Sequence, residues 1–338
     1  MHAASEDTLT QALATVAPKL AWISQPGLVQ LREQLARDPG LAENQRALVL
    51  LLDDLLKGPQ GASWAVPDDV AIGRLKIDFP HFAAVIELLD GEIALSRTRG
   101  ARPRGLPPVL LLGDPGVGKS AFCRALAAAL RAPAACMPMS AASSGFTLGG
   151  LDRGWSTGRP GLVFELLRQH RIVNPCFVLD ELDKVNGDAR YSPTGALFQL
   201  LEPVSAHGFV DEFVGVPVDA GFITWLATAN DPAPIAPALL SRFHVFEIPE
   251  PSFEQMCGIV QRQFEQLCRD LPALHPRLPT SVIDRLAHAQ PRTAAQLLRT
   301  AAARAARRAA QAGRPTVSIA KFDLPPAPLE TRRRAGFL

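Results

Sequence analysis

The octapeptide "GDPGVGKS", Gly113 to Ser120, constrains this chain more than any other feature, because it stands between an apolar run, "VLLL", and an alanine-rich stretch with helical spacing. Glycines permit positive φ and close backbone approach, so a strand, loop and helix of this composition can turn successive N–H groups onto an anion at a helix N-terminus. The spacing fits GxxxxGK[ST], in which the lysine reaches β- and γ-phosphates and the hydroxyl ligates Mg²⁺. It predicts an ATP cradle from Asp114, Pro115, Gly116, Val117, Gly118, Lys119, Ser120 and Ala121, with Ser120 also a metal ligand.

Between Val109 and Pro249 apolar strand candidates alternate with helix candidates. The strands are "VLLLG", "AACMPMS", "CFVLD", "GFITWLATAN" and "HVFEI"; the helices are "SAFCRALAAALR", "GLVFELLRQH" and "TGALFQLLEP". Such alternation predicts an α/β fold, a parallel sheet between helices. "CFVLD" ends in Asp180 and is followed by Glu181. An acid at that place lies beside the phosphate loop, where Asp180 can hold Mg²⁺ through its waters while Glu181 orients and polarises the attacking water.

Three further residues have two readings each. Asn230, at the tip of "FITWLATAND", is placed to hydrogen-bond the γ-phosphate or the water, yet Asn-Asp-Pro is equally a turn. Arg242 in "ALLSRF" is a surface charge, or a finger reaching an ATP held by a neighbouring subunit. Arg292 opens the helix of "QPRTAAQLLR", either as a surface residue or as a contact to the γ-phosphate.

Flanking segments read as helices. Residues 1–75 carry "LTQALATV", "GLVQLREQLAR" and "LAENQRALVLLLDDLL", interrupted at Pro18, Pro26 and Pro39-Gly40. After Pro251 come "SFEQMCGIVQRQFEQLCRD", "TSVIDRLAHA" and "RTAAQLLRTAAARAARRAAQ". The expected divisions are an N-terminal helical region at 1–75, an α/β core at 76–250, a helical lid at 251–323 and a basic tail at 324–338.

Apolar runs stay far short of the roughly 18 residues of a membrane span. With no basic n-region or apolar h-region at the N-terminus, the expectation is a cytoplasmic protein away from membranes. Five cysteines without a CxxC pair provide no zinc pattern or disulfide framework. The 35 basic residues against 33 acidic ones leave a net charge of +2, so no global field calls for nucleic acid. Positive charge concentrates only in "RTAAARAARRAAQAG" and "TRRRAGFL".

Taken in order, these motifs resemble the AAA+ ATPases and, within them, the ATPase module of Lon proteases. The likeness is carried by "NPCFVLDELDKV" with "GALFQLLEP", then "FVDEF" and "LATAND…IAPALLSRF", and extends from about Ile77 to Gly313. It also covers "RGWSTGRPG", which takes the place of a Lon segment where an aromatic precedes Pro-Gly; here these are Trp155, Pro160 and Gly161. The resemblance implies an AAA+ core with a helical lid, ATP and Mg²⁺, a homo-oligomeric ring of about six subunits, and a polypeptide drawn through the pore past Trp155. It leaves no room for the Ser-Lys protease domain, so no peptidase activity is expected, and a separate protease or effector becomes a candidate partner. Two residues depart from the pattern: Ser241 stands where Lon has an aspartate, and Trp155 replaces a tyrosine.

The leading expectation is therefore an ATP-driven protein unfoldase. The alternatives are a nucleotide-dependent regulatory or adaptor ATPase that threads nothing, and a nucleic-acid motor. Trp155 itself has two readings: an exposed substrate contact, or a side chain folded onto the core or into an interface.

Overall fold

The structure, a computed structural model, describes residues 20–38, 40–58, 61–98, 104–141, 146–185 and 194–325. The expected helix "LTQALATV" and the segment "TRRRAGFL" lie outside the described residues. Two compact units result. One gathers the residues up to Lys76 with Ala83–Gly113 and Lys119–Glu247; the other gathers Ile77–Phe82, Asp114–Gly118 and the residues from Ile248 onward.

The first unit is built on five strands: β1 (Val109–Leu112), β2 (Ala134–Pro138), β3 (Cys176–Asp180), β4 (Thr224–Ala229) and β5 (His244–Glu247). They pair in the order β2-β3-β4-β1-β5, every neighbouring pair parallel. All five expected strands form. β1 and β4 are buried at every position and β3 at all but its last, as continuous apolar runs in the middle of a parallel sheet should be. Register sets Leu112 beside Ala229 and Leu179 beside Ala227, so the carboxyl ends of β1, β3 and β4 lie side by side. Sites of open α/β sheets form at that edge.

Helices α1 (Gln25–Ala36), α2 (Glu43–Lys57), α3 (Asp69–Asp78), α4 (Ala83–Ser96), α5 (Lys119–Ala129), α6 (Leu162–His170) and α7 (Thr194–Leu200) precede β4 in the chain. α1 starts at Ser24, whose hydroxyl accepts from Gly27 N at 3.2 Å. Leu28, Leu48 and Leu52, on α1 and α2, are fully buried, and they join the apolar cluster that contains Phe164, Phe177 and Trp225. Trp22 lies 5.9 Å from Phe164, ring centre to ring centre. The N-terminal helices therefore share the sheet's own core. Two antiparallel pairings, Leu20–Ala21 with Gly61–Ala62 and Phe209–Val210 with Pro217–Val218, are too short to show in the sequence pattern.

The second unit contains α8 (Phe253–Asp270), α9 (Thr280–Leu286) and α10 (Pro291–Gln311). A reciprocal cap starts α8: Gln255 N donates to Ser252 Oγ at 3.2 Å and Ser252 N to Gln255 Oε1 at 2.9 Å. On α10, Ala294, Leu298, Ala301, Ala302 and Ala305 form one buried face against Val260, Phe264 and Leu286. The arginines of this helix lie off that face, and Arg308 pairs with the buried Asp323 at 2.8 Å, so part of the expected positive patch is neutralised within the unit. Among the described residues no helix is long and apolar enough to cross a membrane.

Candidate nucleotide-binding site

In the first unit, the tips of β1, β3 and β4 and the start of α5 bring one hydrogen-bonded cluster together. Lys119, only 7% exposed as a residue, donates from its ammonium to Gly113 O at 2.6 Å and to Asn230 Oδ1 at 3.0 Å. A cation taken so far out of water favours an anion beside it. Ser120 Oγ donates to Asp180 Oδ1 at 2.8 Å, and Thr228 Oγ1 donates to the same oxygen at 2.6 Å. Thr228 in turn accepts from Glu181 N at 3.0 Å. One buried hydroxyl thus fixes the backbone of one acid and the carboxylate of the other.

Glu181 adopts φ 59°, ψ 54°, a left-handed conformation that costs a residue with a Cβ roughly 1–2 kcal/mol. It caps the helical turn Leu182–Lys184, and it is exposed while Leu182 and Asp183 turn inward. The backbone turn is what separates the two neighbouring acids, leaving Asp180 in the cluster and Glu181 open to water.

The loop residues Asp114–Gly118 belong to the second unit and are held there from two sides. His81 Nε2 donates to Val117 O at 3.0 Å, and Arg292 N donates to Gly116 O at 3.3 Å. Gly116 has φ +93°, and a Cβ there would stand 2.6 Å from Gln290 Oε1. Gly118 has φ +111°, and the direction its Cβ would take is open space, as a cradle for phosphate requires. His81 is 8% exposed with Nδ1 buried and unpaired, and burial holds its pKa below the usual imidazole value. The sequence pattern singles out neither His81, Gln290 nor Thr228. For Thr228 a signal exists: in the expected strand "GFITWLATAN" it lies two residues before Asn230, and so on the same face.

The donor set suits Mg²⁺. Ser120 and Asp180 offer a hydroxyl and a carboxylate oxygen 2.8 Å apart, hard ligands of the kind this ion takes in ones and twos while phosphates and waters complete its shell. Ala121 follows Ser120 in the first turn of α5, and Asp114 and Pro115 open the loop itself.

Arg242, Arg292 and Trp155 make other contacts. Arg242 donates from Nη1 to Ala238 O at 2.6 Å, and its guanidinium sits over the Phe198 ring at 5.0 Å, with Nε buried and unpaired. Arg292 reaches the phosphate loop through its backbone, while the residue itself is exposed. Trp155 is 65% exposed on a loop closed by the Leu151–Arg159 bridge. Beneath that loop is Asp211, fully buried and accepting from Gly161 N at 2.7 Å, Phe213 N at 3.0 Å and Val214 N at 3.1 Å. Burial pushes its carboxyl up to about 6, against the downward pull of these N–H groups.

Residues 109–250 match the family described as "ATPase family associated with various cellular activities (AAA)". Lon protease homolog 2, peroxisomal, of Arabidopsis thaliana is 30% identical over 240 residues, which are 71% of this chain and 27% of that protein. The Zea mays protein of the same name is 29% identical over an equal span. Lon protease 1 of Thermus thermophilus is 29% identical over 235 residues, 67% of this chain and 29% of its own length. The chain thus spans less than a third of these relatives. Among solved structures, a point mutant of Thermotoga maritima RuvB aligns with 70% of this chain and 66% of its own, at a TM-score of 0.48 and 15% identity.

Proposed function

We propose that this chain, an AAA ATPase resembling the ATPase module of Lon proteases, hydrolyses Mg-ATP in a ring of about six subunits and uses the cycle to unfold or remodel polypeptides. The observation that carries the ATPase reading is the shared oxygen of Asp180, which receives the hydroxyls of Ser120 and Thr228 while Thr228 also holds Glu181. Structural acid pairs have no need of a buried threonine that fixes one acid's carboxylate and the other's backbone.

The geometry supports the following roles. Backbone N–H groups of the loop and the Lys119 ammonium bind phosphate oxygens. Mg²⁺, held by Ser120 and Asp180, would neutralise charge on the β- and γ-phosphates. Glu181, open to water, accepts the proton of a water aligned for in-line attack. Asn230, already hydrogen-bonded to Lys119, orients that water or the terminal phosphate. Arg242 acts on an ATP of the next subunit, and Arg292, whose N–H donates to Gly116 O, contacts the γ-phosphate. The polypeptide reading rests on Trp155: an exposed indole buries about 150–250 Å² against a passing side chain without sequence preference. No peptide-bond chemistry is assigned to the chain in this reading.

The test is steady-state ATP hydrolysis by the purified protein with and without α-casein, together with its mass in solution with and without nucleotide. Stimulation by casein and ATP-dependent assembly are expected. ATP binding without any response to casein would select the regulatory or adaptor ATPase, and stimulation by nucleic acid with steep salt dependence would select the nucleic-acid motor.

A further inference from the structure

We infer that Asn44 is a positioning residue for Trp155, which makes the N-terminal helix pair a working part of the loop that engages polypeptide; this rests on the reading of Trp155 as the polypeptide contact. Asn44 Nδ2 donates to Arg153 O at 2.5 Å and to Trp155 O at 2.7 Å. Both amide hydrogens are thereby spent on carbonyls that flank Gly154, across 111 residues of chain. Its Oδ1 accepts from Gln45 N at 2.9 Å, which fixes which way the amide faces.

The clasp is rigid at its base. Asn44 lies in the first turn of α2, which is capped by Ala42 N donating to Gln45 Oε1 at 2.9 Å and anchored by the buried Leu48, Leu52 and Leu55. The far end of the loop is held as firmly. Asp211 takes the N–H of Gly161, and a Cβ on Gly150, at φ +83°, would stand 2.6 Å from Asp211 Oδ1. Between these two anchors Arg153 turns inward, with Nη1 3.0 Å from where a Cβ of Gly215 would lie, while Trp155 turns outward.

Gly154 and Gly158 flank the tryptophan closely, and a loop of that composition would sample many conformations. Holding it in one before substrate arrives removes an ordering cost from every encounter. Trp155, Ser156 and Thr157 are exposed and contribute no core packing, so loosening them should cost little stability. The clasp therefore acts chiefly on where the indole stands.

The isosteric variant Asn44→Asp tests this, because it keeps an acceptor for Gln45 N, removes the two donors and sets a carboxylate oxygen against the carbonyls of Arg153 and Trp155. Protein labelled with 5-fluorotryptophan gives four ¹⁹F resonances, for Trp22, Trp64, Trp155 and Trp225, and Trp155→Phe assigns the one at issue. In Asn44→Asp the Trp155 resonance should shift or broaden while the others stay, and the α-casein concentration for half-maximal ATPase stimulation should rise several-fold with little change in the rate at saturation. An unaltered Trp155 resonance, or an unaltered casein dependence, overturns the inference. So does a lowered melting temperature with all four resonances moved, since Asn44 then supports the fold at large. Trp155→Ala separates the two levels: if it leaves casein stimulation intact, the polypeptide reading fails, whereas its loss of stimulation beside a silent Asn44→Asp removes only the role of Asn44.

Discussion

The Thr228 hydroxyl donates to Asp180 Oδ1 at 2.6 Å and accepts from Glu181 N at 3.0 Å. Lying on β4 with 1% exposure, it braces two acids at the end of the neighbouring strand. The acid assigned to the metal and the acid assigned to the water are consequently set by one group that itself is given neither task.

Thr228→Val keeps the strand and the side-chain volume but leaves Glu181 N without its acceptor. Outer partners of ligands typically support activity by about 10–100-fold, so ATP turnover should fall within that range. The melting transition should report a loss of about 1–3 kcal/mol, the usual consequence of one donor left unsatisfied. Turnover equal to the parent would mean that Ser120 alone positions Asp180.

Lys119 and Glu181 should separate binding from chemistry. Lys119→Ala removes the buried ammonium and should abolish ATP binding in calorimetry. Glu181→Gln should bind ATP normally and hydrolyse it roughly 10²–10⁴-fold more slowly. Unchanged nucleotide affinity in Lys119→Ala would overturn the assignment of the loop.

Gly116→Ala forces a Cβ into a conformation at φ +93° and against Gln290 Oε1. Backbone strain of this kind costs on the order of 1–3 kcal/mol, so the Kd for ATP should rise by about tenfold or more. Adding Gln290→Ala removes the overlap and leaves the φ strain, so the double variant should recover only part of the affinity. Full recovery would mean that the clash was the whole effect.

Arg242 should act across subunits. Arg242→Ala should bind ATP yet hydrolyse it about 10³–10⁵-fold more slowly, the range for loss of an arginine finger. Mixing it with Lys119→Ala should restore some turnover, since one partner brings an intact site and the other an intact finger. Absence of rescue would leave Arg242 with its contacts to Phe198 and Ala238 as a structural residue.

His81 should make the second unit sensitive to acid. Its folded pKa lies below the ordinary 6.5 because burial disfavours the charged ring. Well above that value both folded and unfolded forms are neutral. As pH falls towards the lower folded value, the unfolded chain takes up the proton first, so the stability present at higher pH is progressively lost. His81→Gln should flatten this part of the profile of melting temperature against pH. An unchanged profile would show that His81 is protonated as readily in the fold as outside it.

The α/β class, the five strands and the phosphate loop are legible in the sequence because each rests on local rules. Apolar runs of strand length stay buried in a parallel sheet, and glycines at Gly116 and Gly118 mark backbone that a Cβ would strain. Asp180 and Glu181 are legible as a pair at a strand end. The geometry that keeps them apart is decided by tertiary structure, through the left-handed turn at Glu181 and the hydroxyl of Thr228. The partners of Asn44 and Asp211 have no sequence signal: one residue looks like a surface position of an amphipathic helix, the other like a turn residue in "FVDEF". Periodicity reports which face of an element meets the core. It carries no information about which distant carbonyl or N–H a polar side chain will meet, because those partners are brought together only when residues far apart in the chain pack side by side.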